Sequence, residues 1–276
     1  MRRRRQLFEF NEADWFPQWL RDGQTDALEA IFRLTGLFRG APALLAELLV
    51  ATGERRIVDL CSGSGGPLPS LVSEIERRLG SEIEVVLTDK FPNLDAFERH
   101  AQAMAGRIAF VRDPVDALHP PAELEGVRTV FDAFHHLRPD EAEKLLQQAV
   151  EDGTPIAIFD VAGRRWLHLL SCLLLPLAVL VVTPWIRPLR ARRLLFTYLL
   201  PVIPLTVCWD GVVSHLRAHD HSEIARMLAP LQERGFDWHV EGIGRWPMVV
   251  TAVLGRPRQT GAGDSGRDAE LLAELR

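Results

Sequence analysis

Between residues 57 and 160, short apolar runs alternate with amphipathic ones, and this constrains the fold more than any other feature of the chain. IVDL (57–60) reads as a buried strand that runs directly into the glycine-rich turn CSGSGGP (61–67). A helix is predicted over 68–79, a strand over 82–89, a helix over 93–105 and a strand over 107–111. A fourth strand over 127–131 precedes a helix over 139–151, and a fifth strand covers 155–160. Strands alternating with helices form βα units, whose strands run parallel. The last two apolar runs differ. FDWHVEGI (236–243) and PMVVTAVL (247–254) are parted only by Gly244-Arg245-Trp246, which predicts an antiparallel hairpin. The expected fold is therefore α/β: a doubly wound, mostly parallel seven-stranded sheet ending in an antiparallel hairpin.

Other segments frame that sheet. Residues 1–52 read as an N-terminal helical cap, with Asn11 or Asp14 capping its first helix and Pro17 in the opening turn. Apolar spacing continues helix through 25–37 and 42–51. A helix over 222–234 presents Ile224, Met227, Leu228 and Leu231 on one face, with Ser222 as N-cap and Gly235 as terminator. The main domain covers 53–255, interrupted by an apolar insert at 166–209. Residues 256–276, rich in Gly, Asp and Arg, read as a flexible tail.

The chain has 276 residues and a net charge of −5, which gives no general attraction to nucleic acid. Its three cysteines form no CxxC pair, so neither a disulfide framework nor a zinc site is expected, and reduced cytoplasmic thiols are the simplest reading. Arg2 to Arg5 are followed by no apolar run, because Glu9, Asn11, Glu12 and Asp14 intervene. They read as a solvated basic tip or a contact for anionic head groups.

The chemistry concentrates at strand ends. Gly63, Gly65 and Gly66 let backbone N–H groups approach a ligand that side chains would block. Leu68 stands where a dinucleotide-binding loop needs its third glycine. Asp89, at the tip of the second strand, can accept both hydroxyls of a ribose or start the next helix. His135 and His136 offer a general base near neutral pH, or packing beside a cofactor. His215 and His219 have an i, i+4 spacing but too few partners for a metal, and read as a polar helix end. Trp15, Phe16 and Trp19 read as core or lid. Asp210 could reach an acceptor or cap a turn.

Together these residues resemble the Rossmann-like (class I) S-adenosylmethionine-dependent methyltransferases. The acidic first strand and its Gly-x-Gly turn are matched by Asp59, Gly63 and Gly65, with Cys61 where the family often has glycine. The acidic end of the second strand is Asp89, next to Lys90. The acidic residue after the third strand is Asp116, followed by Ala117, with Asp113 as the alternative. FHHL (134–137) matches the motif after the fourth strand, and RGF (234–236) with the hairpin matches the family's ending. The resemblance implies S-adenosyl-L-methionine as cofactor, methionine-end contacts from Asp59, Cys61 and the Gly63–Gly65 turn, ribose contacts from Asp89, and adenine contacts near Asp116. Phe134 would lie beside the cofactor. N-terminal helices often cover the cofactor in this family, which implies that Trp15 and Phe16 line the pocket. The implied activity is methyl transfer to an apolar or amphipathic small molecule, lipid- or quinone-like. The alternatives are another chemistry on the same cofactor fold, or a membrane-associated binding protein.

Residues 166–186 carry no formal charge, and 21 helical residues would span about 31 Å, close to a bilayer core. Residues 194–209 are shorter and contain Pro201 and Pro204. Both ends of the insert attach to one sheet, so a single crossing is excluded. Peripheral contact with the inner face of a membrane, a wall over the active-site rim, plain core, and a two-helix hairpin span stay open. The hairpin would carry four arginines across, against the positive-inside tendency.

Overall fold

A computed structural model describes residues 4–161, 163, 166–245 and 248–258. Seven strands form one sheet: β1 (Arg56–Leu60), β2 (Glu84–Leu87), β3 (Ile108–Phe110), β4 (Val127–Phe131), β5 (Ile156–Asp160), β6 (Phe236–Arg245) and β7 (Met248–Pro257). Their order is β3-β2-β1-β4-β5-β7-β6. The first five are parallel, while β7 lies antiparallel between β5 and β6. The expected fold is thus the observed one. β6 and β7 pair further than expected, through Arg245↔Met248 at one end and Phe236↔Pro257 at the other. Gly244 and Arg245 are strand rather than turn, and Arg256 and Pro257 belong to β7 rather than to the tail. The rest of the predicted tail, from 259, lies outside the described residues.

Two apolar layers sandwich the sheet. On one face Phe38, Leu45 and Leu49 meet Ile57, Val85 and Phe159. On the other, Leu145 and Leu146 meet Val58, Val130 and Ile158. The cap is one long helix, α1 (Gln18–Thr35), then α2 (Ala41–Thr52). Pro17, not Asn11 or Asp14, occupies the N-cap of α1, since its fixed φ suits a helix start. The crossovers are α3 (Leu68–Leu79), α4 (Leu94–Ala103) and α5 (Pro139–Glu151).

The insert is broken, not one long helix. It comprises α6 (Trp166–Cys172), α7 (Leu175–Val182), the short α8 (Ala191–Leu194) with a π-type turn over Leu195–Leu199, and α9 (Val202–Arg217). Among the described residues no single helix is long and apolar enough to cross a membrane; Ala191–Leu199 and Val202–Arg217 pass only as a pair bent by 71°. Val179, Val182, Ile203 and Val207 pack against Phe16 and Leu20, so the inner side of the insert joins the cap in a third core. The last helix, α10 (His221–Leu228), buries Ile224, Met227 and Leu228 as expected. Its cap is Asp220 rather than Ser222: the Asp220 carboxylate accepts from Glu223 N while Glu223 reaches back to Asp220 N. Pro230 stops the α-helix early, and Leu231 is buried in a single 3₁₀ turn.

Candidate functional site

The carboxyl ends of β1, β2, β4 and β5 form one rim, where ligands bind in open α/β sheets. The turn after β1 begins at Cys61, whose φ of 61° is left-handed and unusual for a side chain. A glycine would sit there without strain, and this is the position at which the resemblance has glycine. Burial, with Asp89 and Asp59 near, pushes its thiol well up, so it stays neutral.

Asp89 ties the turn to β2. Its Oδ2 accepts from Gly63 N at 2.6 Å and its Oδ1 from Phe91 N at 2.7 Å. A carboxylate has about four acceptor sites, so each oxygen keeps one for a vicinal diol, and this pair of acceptors fits a ribose. Burial pushes the Asp89 carboxyl up against the pull of these N–H groups. It does not cap α4; Asn93 does, accepting from Ala96 N. Asp59 lies beneath the turn, not on its open face. It is 1% exposed, and its two oxygens accept from Thr129 Oγ1 and Ser62 Oγ. Burial pushes it up to about 7. Lys90 is exposed beside the Phe91 ring. The loop after β3 reaches the same edge, with Val115 N donating to Asp89 O. Asp116 is exposed there, accepting from Leu118 N and His119 Nδ1, and Asp113 is exposed too. Ala117 and Phe134 are core residues that support the rim from below.

The two histidines occupy different environments. His135 is buried, with Nδ1 2.8 Å from Asp160 Oδ1 at the end of β5. Burial favours its neutral form, but the Asp160 carboxylate outweighs this and its pKa is raised. His136 Nδ1 lies 2.7 Å from Glu12 and 3.3 Å from Glu9. Burial again opposes the charge, yet the two carboxylates push His136 up to about 10. The proton on His136 is thus favoured as long as Glu9 and Glu12 are ionised. Arg217 Nη1 bridges Glu12 at 2.7 Å and Glu9 at 3.4 Å, completing a four-member cluster. Glu9, His135 and His136, and likewise Asp132, His135 and Asp160, bring ligating atoms within 4.8 Å; both groups include ion pairs just described.

Glu9, Glu12 and Arg217 were not legible as site residues. They arrive because segment 4–16 crosses the rim. Asp210 holds that segment: its carboxylate accepts from Phe10 N, Asn11 N and Gln24 Nε2. Burial raises Asp210 to about 7 against those donors. It is a clamp rather than an acceptor contact. Phe16 is core, whereas Trp15 is 69% exposed, so the two do not line a common pocket. His219 lies beyond the end of α9 and meets Leu137 O, while His215 Nδ1 accepts from Gly163 N, so the expected i, i+4 pair does not form on one helix.

A second unanticipated cluster locks the turn from the cap side. Asp26 accepts from Ser64 Oγ, Asn93 Nδ2, Arg99 Nη2 and Arg193 Nη1. Thr25 Oγ1 accepts from Ser64. The one sequence signal was the run Gln24-Thr25-Asp26 in the middle of an otherwise amphipathic helix. Two open depressions, at the amino ends of β1 and β2 and against α2 and β6, lie away from all these groups.

No protein-family model matches the chain, and no curated protein sequence matches it. Solved structures do. Human N-acetylserotonin methyltransferase in complex with SAM is 13% identical, over 88% of this chain and 57% of that one, with a TM-score of 0.51. Magnesium protoporphyrin IX methyltransferase from Synechocystis PCC 6803 with bound SAH is 12% identical over 82% and 86%, with a TM-score of 0.47. The mitomycin 7-O-methyltransferase is 16% identical over 79% and 54%, with a TM-score of 0.42. At such identities the likeness is one of fold. With the strand order above, the likeness to the first of these, at a TM-score of 0.51, gives this chain the fold of the class I S-adenosylmethionine-dependent methyltransferases.

Proposed function

We propose that the protein transfers a methyl group from S-adenosyl-L-methionine to an apolar or amphipathic small-molecule acceptor, lipid- or quinone-like. It would act at the cytoplasmic face of a membrane, touched through residues 166–209. The observation that carries this is a juxtaposition. Asp89, with acceptor sites to spare, stands on a rim from which an insert with an outward apolar side departs directly after β5. In this reading Asp89 holds the ribose, the Cys61–Gly65 backbone receives the methionine end, and Asp116 lies near the adenine. The cofactor supplies a methyl group already activated by its sulfonium, so the protein's task is mainly to position the acceptor and exclude water. His136 and Arg217 share the carboxylates of Glu9 and Glu12, so this cluster balances its own charge at the rim. His135, oriented by Asp160 through Nδ1, and His136 are the two candidates to take a proton from an acceptor hydroxyl.

Calorimetry with S-adenosylmethionine is the first test. Binding is expected in the wild type and at least tenfold weaker in Asp89→Ala, with a thermal melt to confirm folding. No binding to folded wild-type protein overturns the cofactor assignment. Incubation of labelled cofactor with membrane lipid extract, followed by product analysis, tests the acceptor. Label in an organic-soluble product supports it, and label confined to aqueous small molecules sinks the apolar acceptor.

A further inference from the structure

The insert's inner side is packed, but its outer side is not covered. Leu173 and Leu174 between α6 and α7, Leu177 and Val181 on α7, and Trp185 just after it stand out. Leu189, Tyr198, Leu199, Leu200 and Leu205 continue the patch around the tip and along α9. So many exposed large apolar side chains within one segment mark an interaction surface.

The surface extends beyond the insert. Trp209 Nε1 donates to Phe8 O, and the Phe8 and Trp209 rings lie 5.5 Å apart. Ring contacts then run from Phe8 to Phe10 at 5.2 Å and from Phe10 to Trp15 at 5.9 Å. Phe8, Trp15 and Trp209 are exposed, so the N-terminal segment and the insert present one continuous face.

Charge selects the partner. The chain has 37 acidic residues, yet none falls between 166 and 209, and in segment 5–15 Glu9 is buried and Glu12 is paired with His136 and Arg217, which leaves Asp14 as the exposed acid there. Of the four arginines there, Arg193 is buried on Asp26 and Arg190 pairs with Asp95. Arg187 and Arg192 remain exposed beside the apolar tip, Arg192 lying over the Trp19 ring. A two-fold contact between copies would set this positive edge against itself, whereas an anionic leaflet complements it. Exposed Trp15, Trp185, Trp209 and Tyr198 are the residue types that settle at head-group level. No single described helix is long and apolar enough to cross a bilayer, and both ends of the insert return to one sheet.

We propose that segment 5–15 and the insert form a single face that docks on an anionic lipid surface without spanning it, with Trp15 as well as Trp185 at the head-group level and Arg187 and Arg192 reading lipid charge. This rests on the membrane part of the preceding reading and not on methyl transfer. Because Phe8 and Trp15 bracket Glu9 and Glu12, the lipid-facing side and the His136 side belong to the same short segment, so the rim would open toward the bilayer.

The test is sedimentation of the full chain with phosphatidylcholine vesicles and with equimolar phosphatidylcholine–phosphatidylglycerol vesicles, without cofactor. Binding to the mixed vesicles, weakened by salt, is expected. The Arg187→Glu, Arg192→Glu double variant should lose about tenfold or more on mixed vesicles and keep its weak binding to neutral ones. Leu199→Glu with Leu200→Glu should abolish both. Acyl-chain-brominated lipids should quench tryptophan emission, and Trp15→Phe should reduce the quenched fraction. No vesicle binding, binding indifferent to the Leu199 and Leu200 changes, or a concentration-dependent dimer that buries the face overturns the proposal. Quenching unaffected by Trp15→Phe removes the N-terminal segment from the face and overturns its composite form. Cofactor calorimetry is independent of vesicles, so failure here and failure of the methyltransferase reading are separately visible.

Discussion

Ile156, Ala157, Ile158 and Phe159 of β5 are fully buried, whereas Leu170, Leu173 and Leu174, little more than ten residues on, are exposed. Both stretches give the same hydropathy signal. The β5 run is covered on both faces and lies between β4 and β7, so every side chain finds a partner. The insert has a partner only on its inner side, where Val179, Val182, Ile203 and Val207 meet the cap. Hydropathy therefore reports that a segment avoids water, while topology decides whether protein or something outside it provides the alternative.

The largest expected effects test what each region rests on. Ile158→Ala removes a fully buried side chain between β4 and β7, and should cost about 3 kcal/mol. Arg193→Met should cost a similar amount, about 3 kcal/mol, because it strips a 2.8 Å partner from buried Asp26. Burial works against both charges, so a lone Asp26 would be left with Arg99 at 3.3 Å as its remaining cation. Urea unfolding of both variants measures this. An Arg193→Met protein as stable as wild type would mean that the insert is not anchored through this pair.

Gly65→Ala comes next. Its φ of 110° is unfavourable for any side chain, and an added Cβ would lie 3.0 Å from both His100 and Pro69. A loss of about 2 kcal/mol is expected. Cofactor affinity should also fall, since Gly65 N closes the turn on Ser62 O. Denaturation and calorimetry on one preparation separate the two effects.

The sheet was legible because its signals are local. A period of strands and helices, glycines at turns and a short hairpin link fix order and direction without distant partners. Asp89 and the two histidines were legible for the same reason, being placed by the ends of predicted strands. The roles of the histidines were not. His136 is set by Glu12, 124 positions away, and Asp26 by Arg193, 167 positions away. Neither pairing leaves a local trace. The helix start at Asp220 was missed by two residues because Ser222 and Asp220 both suit an N-cap, and only Glu223 decides between them. The outward side of the insert was illegible because its helices are apolar nearly all round, leaving no polar stripe to show which side faces out.

The rim cluster predicts a pH signature of about 1 kcal/mol, kept small because Glu12 is partly exposed. His136 is raised from 6.5 to about 10, so its contribution is complete below pH 6.5 and is lost as pH rises toward 10. Glu12 is lowered from 4.5 to about 2, with His136 and Arg217 outweighing burial, so its contribution is complete above pH 4.5 and is lost as pH falls toward 2. The stability difference between wild type and Glu12→Gln should be greatest between about pH 4.5 and 6.5. It should shrink by pH 10 to what the Arg217 contact supplies. Thermal melts across that range check it, and a difference that grows with pH would show that His136 is not held by these carboxylates.

The smallest expected effect discriminates most between the two regions. Leu177→Gln replaces an exposed side chain on α7, and should change stability by less than about 0.5 kcal/mol. The same kind of change inside β5 would unfold the sheet, because a buried polar group without a partner adds its desolvation cost to the lost packing. A cost of several kcal/mol for Leu177→Gln would mean that the outer side of the insert is covered in solution, by another segment or another copy. A neutral result, with lowered binding to lipid vesicles, would show that this leucine is retained for a surface outside the protein rather than for the fold.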